Sequence, residues 1–266
     1  MSANPTFVGI RRFFYLALAG SILLFAYGYL TKGTLPGVDQ VDEALFLEPV
    51  QEATVRAPFE LTYAGNSYHV VPRAEYRLQG LVVTHNNITG FSDIYHDSGS
   101  VDTKDICVVY GTNARSGVYL NSEFWSGAWT CYYRTDLGFL FSNSHISNNH
   151  LITDRDALRR QIADIRIGDQ VVVEGLLVDY NPINQPRNVR GTSLTRDDTG
   201  NGACEVLFVE NIEVLKKGTP LAYAATRFGA YGFVLSLVGM LAALAIEAHT
   251  TPRHQYSSRW GEYKGY

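Results

Sequence analysis

The chain has 266 residues, 46% of them hydrophobic, and a formal net charge of −4 at pH 7. The hydrophobic content excludes a disordered tether, which could not bury enough apolar surface to fold. The mild acidity argues against a nucleic-acid partner, because phosphate binding needs clustered Lys and Arg. With 24 Gly, 17 Tyr and 13 Phe, the composition favours β-structure with tight turns.

The first predicted element is an uncharged stretch of 19 residues, Phe13–Thr31. An α-helix of this length can cross a hydrocarbon layer of ~30 Å. Arg11 and Arg12 precede it directly, and two tyrosines lie toward its far end, where aromatic rings favour the membrane–water interface. A secretory signal peptide cut near Gly20 is the competing interpretation, but it would leave a very short apolar core. We expect a retained transmembrane helix.

The segment between this helix and a second apolar stretch holds about 195 residues, which is enough for a sizeable core. Residues 32–58 are rich in proline and acidic residues, which predicts a linker. From residue 59 to 215 the pattern predicts a β-rich domain, followed by a connector at 216–227. The predicted strands are Phe59–Tyr63, Ser67–Val71, Tyr76–Thr84, Asp105–Tyr110, Val118–Phe124, Ala128–Tyr133, Asp169–Tyr180, Gly191–Arg196 and Ala203–Val214.

One helix is predicted inside this domain, capped by Thr153 or Asp154 and ending near Gly168. The strand after it contains Gly175, which predicts a bulge or bend. The order of helix, Gly-Asp, strand with a central glycine, turn-rich connection and strand resembles part of an OB-like barrel. The stretches ISNNHLI (146–152) and TRDDTGNGACE (195–205) resemble those of uncharacterised bacterial membrane-anchored proteins. The resemblance implies a bacterial envelope setting and no particular activity.

The second apolar stretch is Phe228–Ile246, also 19 uncharged residues, and it predicts a transmembrane helix over 228–247. Residues 1–12 and 248–266 both carry an excess of basic residues, which favours the cytoplasmic side. We therefore expect a protein of the bacterial inner membrane, with both termini cytoplasmic and the β-rich domain periplasmic.

All three cysteines, Cys107, Cys131 and Cys204, lie in the predicted periplasmic part. An oxidising compartment allows two of them to pair. Because Cys107 and Cys131 both fall in predicted strands, we expect a disulfide between them, with three reduced thiols as the alternative. The motifs and spacings indicate no metal site, no cofactor site and no catalytic site.

Two histidines, His145 and His150, are separated by four residues of a predicted loop. Together with nearby carboxylates they are the candidates for an envelope hydrolase. A nuclease would instead use Arg and carboxylate side chains to stabilise and activate a phosphoryl group. The residues of the right types for it are Arg190, Arg196, Asp197 and Glu205, although turn formation explains Asp197 better.

Small residues mark one face of each predicted membrane helix. They are Gly232, Ser236, Gly239 and Ala243 in the second helix and, in the first, Gly20 and Gly28. Small residues let helix backbones approach closely within a membrane. In the C-terminal tail, four aromatic residues are candidates for binding a partner: Tyr256, Trp260, Tyr263 and Tyr266.

The sequence therefore predicts a non-enzymatic accessory or assembly subunit of a bacterial membrane protein complex. Its expected partners are the lipid bilayer and other integral membrane subunits. Neither apolar stretch contains a charge that a transport path would need. Two alternatives stay open: the hydrolase described above, and a periplasmic ligand-binding or sensing module, which would require a concave pocket in the β-rich domain.

Overall fold

The computed structural model describes residues 5–88, 99–127, 129–198, 200 and 202–250. The chain forms two compact units, one of Met1–Lys32 with Leu221–Tyr266 and one of Gly33–Pro220. The α-helices are α1 (Pro5–Thr31), α2 (Gly111–Ser116), α3 (Asp156–Ala163) and α4 (Pro220–Thr250). The strands are β1 (Val50–Ala53), β2 (Phe59–Tyr63), β3 (Asn66–Asn86), β4 (Asp102–Val109), β5 (Ser122–Ser126), β6 (Cys131–Thr135), β7 (Ile146–Ile152), β8 (Gln170–Pro182) and β9 (Glu205–Lys216).

The first unit is a pair of helices, α1 and α4, each long and apolar enough to cross a membrane. Large apolar side chains point outward from both, including Leu16, Leu30 and Leu235, which are 74%, 80% and 70% exposed. Arg11 and Glu247 form an ion pair of 3.2 Å between the two helices. A helix that exposes so much apolar surface is unusual for a soluble protein, whose helices bury one apolar stripe.

The two helices meet through small residues. A Cβ added at Gly28 would collide with the backbone of Ala222 and Thr226, and one added at Gly232 or Gly239 would collide with side chains of α1. Ser236 and Ala243 are buried. These five of the predicted packing residues thus belong to a contact inside the chain. At Gly20 an added Cβ meets no atom within 4 Å, so Gly20 lies outside the contact between α1 and α4.

The second unit is built on a ring of five strands. Going round the ring, β3 pairs with β4, β4 with β7, β7 with β9, β9 with β8, and β8 with β3 again. Only the β7–β9 pair is parallel; the other four pairs are antiparallel. The 21-residue strand β3 also pairs with β1 and β2 beyond the ring. The prediction of a mainly β domain accompanied by helices is confirmed at this level.

The interior of the ring is apolar, with Leu78, Val108 and Leu207 fully buried in one cluster. The helix α3 adds Leu158 and Ile162 to this cluster. Such burial contributes about 25 cal/mol per Å² of apolar surface removed from water. Residues 33–58, predicted as a linker, lie within the same compact unit, and Leu45 among them is fully buried.

Several local predictions hold. Ala64 and Gly65 have φ of 49° and 84°, the left-handed conformation of a tight hairpin turn between β2 and β3. Gly175 lies where the register of β8 against β9 shifts, which is the predicted bulge. The Cys107–Cys131 disulfide is formed, and it ties the β5–β6 hairpin to strand β4.

Other local predictions are wrong. The stretch that contains His150 is the strand β7 and not a loop, because its polar side chains find partners inside the protein. Part of Val118–Phe124 is a 3₁₀-helix, Val118–Asn121. Within Gly191–Arg196 no strand forms. Arg155 occupies the N-cap of α3 without a side-chain cap, while the Thr153 hydroxyl donates to the Val209 carbonyl instead.

Candidate functional site

A groove with a volume of about 1380 Å³ opens on the β-rich unit. Five chain segments form it: the β2–β3 turn, the residues entering β4, the turn between β5 and β6, strand β7, and the connection from β8 to β9. Its lining includes Asn66, Ser100, Trp129, His150, Arg190 and Cys204. Because these segments are distant in sequence, the groove is a product of the ring and the disulfide-tied hairpin together.

A buried ion pair lies where β4 and β7 run side by side. Asp105 and His150 stand opposite each other in the antiparallel register. His150 Nδ1 lies 2.6 Å from Asp105 Oδ1, and both side chains are only 3% exposed. Directly opposite residues of antiparallel strands have Cβ atoms about 5 Å apart, which explains why this pair meets. The other ring nitrogen, Nε2, lies 3.5 Å from Asn148 Nδ2.

Cys204 completes this cluster from the residue before β9. The parallel pairing sets Asn149 against Glu205, so that Cys204 comes next to the side chain of Asn148. Asn148 Nδ2 donates to Cys204 Sγ at 3.4 Å, and Thr130 Oγ1 lies 3.8 Å from the same sulfur. Cys204 is partly exposed, lines the groove, and is the free cysteine of the chain.

The electrostatics of the cluster favour the charged forms of both His150 and Cys204. Burial opposes the charge on His150, but hydrogen bonds with Asp105 and Cys204 outweigh it and raise the pKa of His150 to about 9. Burial also opposes the Cys204 thiolate, yet the hydrogen bond and charge of His150 outweigh it and hold the pKa of Cys204 below its ordinary value. A thiolate is the nucleophilic form of cysteine.

A second charged group borders the groove around Arg190. Its Nη1 lies 3.8 Å from Asp102 Oδ1, and its guanidinium stacks 5.0 Å from the centre of the Trp129 ring. The Tyr180 hydroxyl donates to Asp102 Oδ2 at 2.8 Å. Backbone hydrogen bonds of 2.8 and 2.9 Å between Tyr180 and Arg190 hold the β8–β9 connection in place. Arg190 is therefore fixed at the wall of the groove.

The structure separates the residues that the sequence suggested as groups. His145 lies in a 3₁₀-helix before β7, where Thr112 and Glu48 bind it at 2.7 and 3.2 Å, while His150 is paired with Asp105. Arg196 pairs with the buried Glu205, whose pKa burial raises to about 7. Arg190 is not part of that pair. Within the described ranges, no group of three or more His, Cys, Asp or Glu residues is arranged to hold a metal ion.

Sequence reasoning missed the cluster of Asp105, His150 and Cys204. The sequence marks Cys204 only as one of three thiols and Asp105 only as the start of a strand. The residues lie 45 and 54 positions apart, which matches no short motif. The available signal was a polar run, Ser147–His150, next to apolar Leu151 and Ile152, since a buried polar strand needs internal partners. The tail residues Tyr256, Trp260, Tyr263 and Tyr266 lie outside the described residues.

Comparison of the chain with protein-family models, with curated proteins and with solved structures found no match. The inference of function therefore depends on the groove and its residues.

Proposed function

We propose that the protein is a membrane-anchored module that binds a ligand in the groove of its β-rich unit. The observation that carries this proposal is the groove itself. A ligand-binding module requires a concave pocket in the β-rich domain, and the groove is such a pocket. Ligand sites in proteins are concave and carry a few fixed polar groups among aromatic and apolar surface. Here Arg190 and Trp129 supply a fixed cation and an aromatic face.

The strand order supports an OB-like domain. Five strands close a ring, the third and fifth are parallel, and one helix connects the third to the fourth. OB-like domains bind oligonucleotides or oligosaccharides beside the loops that join strands one to two and four to five. The groove lies beside the corresponding connections, β3–β4 and β8–β9. This support is an analogy of fold and does not by itself choose a ligand.

The lining favours a neutral, polar ligand over a nucleic acid. Its charged members include one arginine, Arg190, which Asp102 partly neutralises. Phosphate chains need several cationic contacts. Amides and hydroxyls supply most of the remaining polar surface, from Asn66, Ser67, Tyr68, Ser100, Thr130, Tyr180, Asn184, Gln185 and Asn188. We propose an uncharged glycan as the ligand class, since such groups match sugar hydroxyls and Trp129 offers a face for a sugar ring.

We propose further that α1 and α4 anchor the module in the bacterial inner membrane, with both tails cytoplasmic and the groove periplasmic. The outward apolar side chains of the helices support the anchor. The Cys107–Cys131 disulfide supports an oxidising compartment.

A cysteine introduced at Glu60, in a Cys204→Ala background, should react with an impermeant thiol reagent in intact cells, and one at Ser257 should not. The reverse pattern would overturn the topology.

Glycan binding can be measured on the full chain in mild detergent with N-acetylglucosamine oligomers as the probe. We expect Trp129→Ala and Arg190→Ala to weaken binding by at least about tenfold, because each removes a fixed contact in the groove. Trp125→Ala is the matched control, since Trp125 lies on the same hairpin and is equally exposed at 47%. Absence of oligomer binding, or equal effects of all three substitutions, would contradict the glycan proposal.

An accessory role in a membrane protein complex is the second candidate. The observation that favours it is an exposed aromatic stack on the β5–β6 hairpin, where Trp125 and Tyr132 have ring centres 5.7 Å apart. Co-purification with other integral membrane proteins in mild detergent tests this role. If it is correct, deleting 252–266 should release the chain from its partners while the β-rich unit stays folded. Unchanged co-purification would show that residues 252–266 do not hold the chain to its partners.

A further inference from the structure

We propose that Cys204, His150 and Asp105 form a nucleophilic centre in the groove that removes acyl groups from the bound ligand. The inference rests on the proposed function in one respect, since the groove must admit the ligand that carries the acyl group. The geometry distinguishes the three roles. Cys204 is partly exposed to the groove, His150 is buried behind it, and Asp105 holds the far nitrogen of the imidazole at 2.6 Å.

The nucleophile is activated by its neighbours. Because Nδ1 of His150 is taken by Asp105, Nε2 faces Asn148 Nδ2 at 3.5 Å, and the same Nδ2 donates to Cys204 Sγ at 3.4 Å. Asp105 Oδ2 has no hydrogen-bond partner among the described residues, and Oδ1 faces Nδ1 of His150. A base oriented by a third group and placed beside a nucleophile is the general arrangement for covalent catalysis.

The reaction balances without an outside oxidant or reductant. The Cys204 thiolate attacks the carbonyl carbon of an ester, a C–S bond forms, and the C–O bond breaks as the leaving oxygen takes a proton from the His150 imidazolium. Neutral His150 then takes a proton from water while the resulting hydroxide attacks the thioester. The C–S bond breaks, and the acid, the thiolate and the imidazolium are restored. The net reaction is hydrolysis of the ester to an acid and an alcohol.

One side chain is placed to stabilise the negative oxygen that develops during attack. Asn148 Nδ2 donates to Cys204 Sγ at 3.4 Å, whereas Thr130 Oγ1 accepts from that sulfur at 3.8 Å and donates to the Cys131 carbonyl. A carbonyl bonded to this sulfur would bring its oxygen within reach of the Asn148 amide. Removing one such donor from an acyl-transfer enzyme costs about 10²–10³ in kcat. Thr130 belongs to the turn between β5 and β6, so the disulfide-tied hairpin contributes to the centre.

Chemical modification tests the activation of the thiol. The chain has three cysteines and two are joined, so iodoacetamide should alkylate a single site, Cys204. The charged groups around it are His150 on β7, Asp105 and Asp102 on β4, and Arg190 on the β8–β9 connection. At pH 6 we expect alkylation at least about tenfold faster than in His150→Gln or Asp105→Asn, because these variants lose the imidazolium that favours the thiolate.

Acyl transfer is tested on the full chain in detergent with 4-nitrophenyl acetate. We expect an acetylated Cys204, identified by peptide mass spectrometry, and hydrolysis that disappears in Cys204→Ala and falls at least about tenfold in Asn148→Ala. Acetylation elsewhere, or hydrolysis unchanged in Cys204→Ala, would overturn the proposal. An alkylation profile that is identical in wild type and Asp105→Asn would also overturn it. Asp105→Asn preserves the side-chain shape, so it separates electrostatics from folding.

The two proposals fail separately. N-acetylglucosamine oligomers that bind Cys204→Ala normally, with no acetylation of the wild type, would leave the binding function intact and remove the nucleophilic centre. Acetylation of Cys204 without oligomer binding would keep the nucleophilic centre and remove the glycan assignment.

Discussion

At the scale of single residues, His150 makes folding depend on pH. Its pKa rises from 6.5 to about 9 on folding, despite burial, because Asp105 and Cys204 stabilise its charge. This stabilisation is complete below pH 6.5 and is lost as the pH rises through about 9. The cause is that the folded state binds the proton of His150 more tightly than the unfolded state and gives it up only near pH 9. The shift corresponds to a contribution on the order of 3 kcal/mol.

Lys104 has the opposite sign and overlaps this range. Its ammonium is fully buried and donates to the carbonyls of Ala163 and Ile165 at 3.2 and 2.5 Å. Burial is the main cause that lowers the pKa of Lys104 from 10.5 to about 7. The unfolded state therefore binds more protons between pH 7 and 10.5, and this lysine makes stability rise with pH there. A single pH profile of the wild type would mix the two effects.

The effect of His150 is therefore best measured as a difference between variants. Asp105→Asn should lower the thermal unfolding midpoint of the full chain in detergent at pH 6, because it removes the carboxylate that stabilises the imidazolium. The difference from wild type should shrink at pH 10, where His150 is neutral in both proteins. Lys104 contributes equally to the two and cancels. A difference that is constant from pH 6 to pH 10 would show that Asp105 acts through packing alone.

At the scale of elements, the hydrophobic patterns of β2, β8 and β9 predicted their positions to within a few residues. Strand β7 escaped prediction because its central residues are polar, which is the ordinary signature of a loop. In the ring those residues lie between β4 and β9, where Asp105, 45 positions away in the chain, partners His150. Local periodicity cannot show partners that are distant in sequence. For this reason neither β7 nor the cluster of side chains on it could be predicted.

Gly175 provides a test of the bulge. A Cβ at this position would collide with the carbonyl oxygen of Phe208 on β9. Gly175→Ala should therefore lower the free energy of unfolding by about 2 kcal/mol or more, since two ladder strands would have to separate. Gly138→Ala is the control, because a Cβ at Gly138 meets nothing within 4 Å. Equal unfolding midpoints for the two variants would contradict the close approach of β8 and β9.

The disulfide provides a second test at this scale. Cys107 and Cys131 are separated by 24 residues, and closing a loop of that size stabilises a fold by about 3 kcal/mol in the chain-entropy account. Reduction should lower the unfolding midpoint in a Cys204→Ala background. It should also weaken binding in the groove, because Trp129 and Thr130 stand on the tied hairpin. Retained binding after complete reduction would show that the hairpin keeps its place without the bond.

At the scale of the whole molecule, the sequence predicted both apolar helices and a β-rich domain between them. The helices extend beyond the apolar stretches, to Pro5–Thr31 and Pro220–Thr250, and the predicted end at Thr31 agrees with the structure. Composition could not show that 33–58 packs onto the β-rich unit, because prolines and acids are typical of linkers while burial of Leu45 depends on tertiary contacts. Gly232 and Gly239 of α4 lie against α1 of the same chain, and Ser236 and Ala243 are buried.

That pairing has a direct test. Arg11→Cys and Glu247→Cys should be joined by a short bis-maleimide in a Cys204→Ala background, since the native side chains form an ion pair of 3.2 Å between α1 and α4. Adding Gly239→Leu should reduce the cross-linked fraction several-fold, because the new side chain would occupy the space of the Phe14 ring. Gly20→Leu is the matched control and should leave the yield unchanged. Equal yields in the Gly239 and Gly20 variants would mean that α1 and α4 do not depend on this contact. If the yields are equal and Gly239→Leu still loses co-purifying proteins, this glycine contacts a partner protein. If Gly239→Leu loses only the cross-link, this glycine acts within the chain.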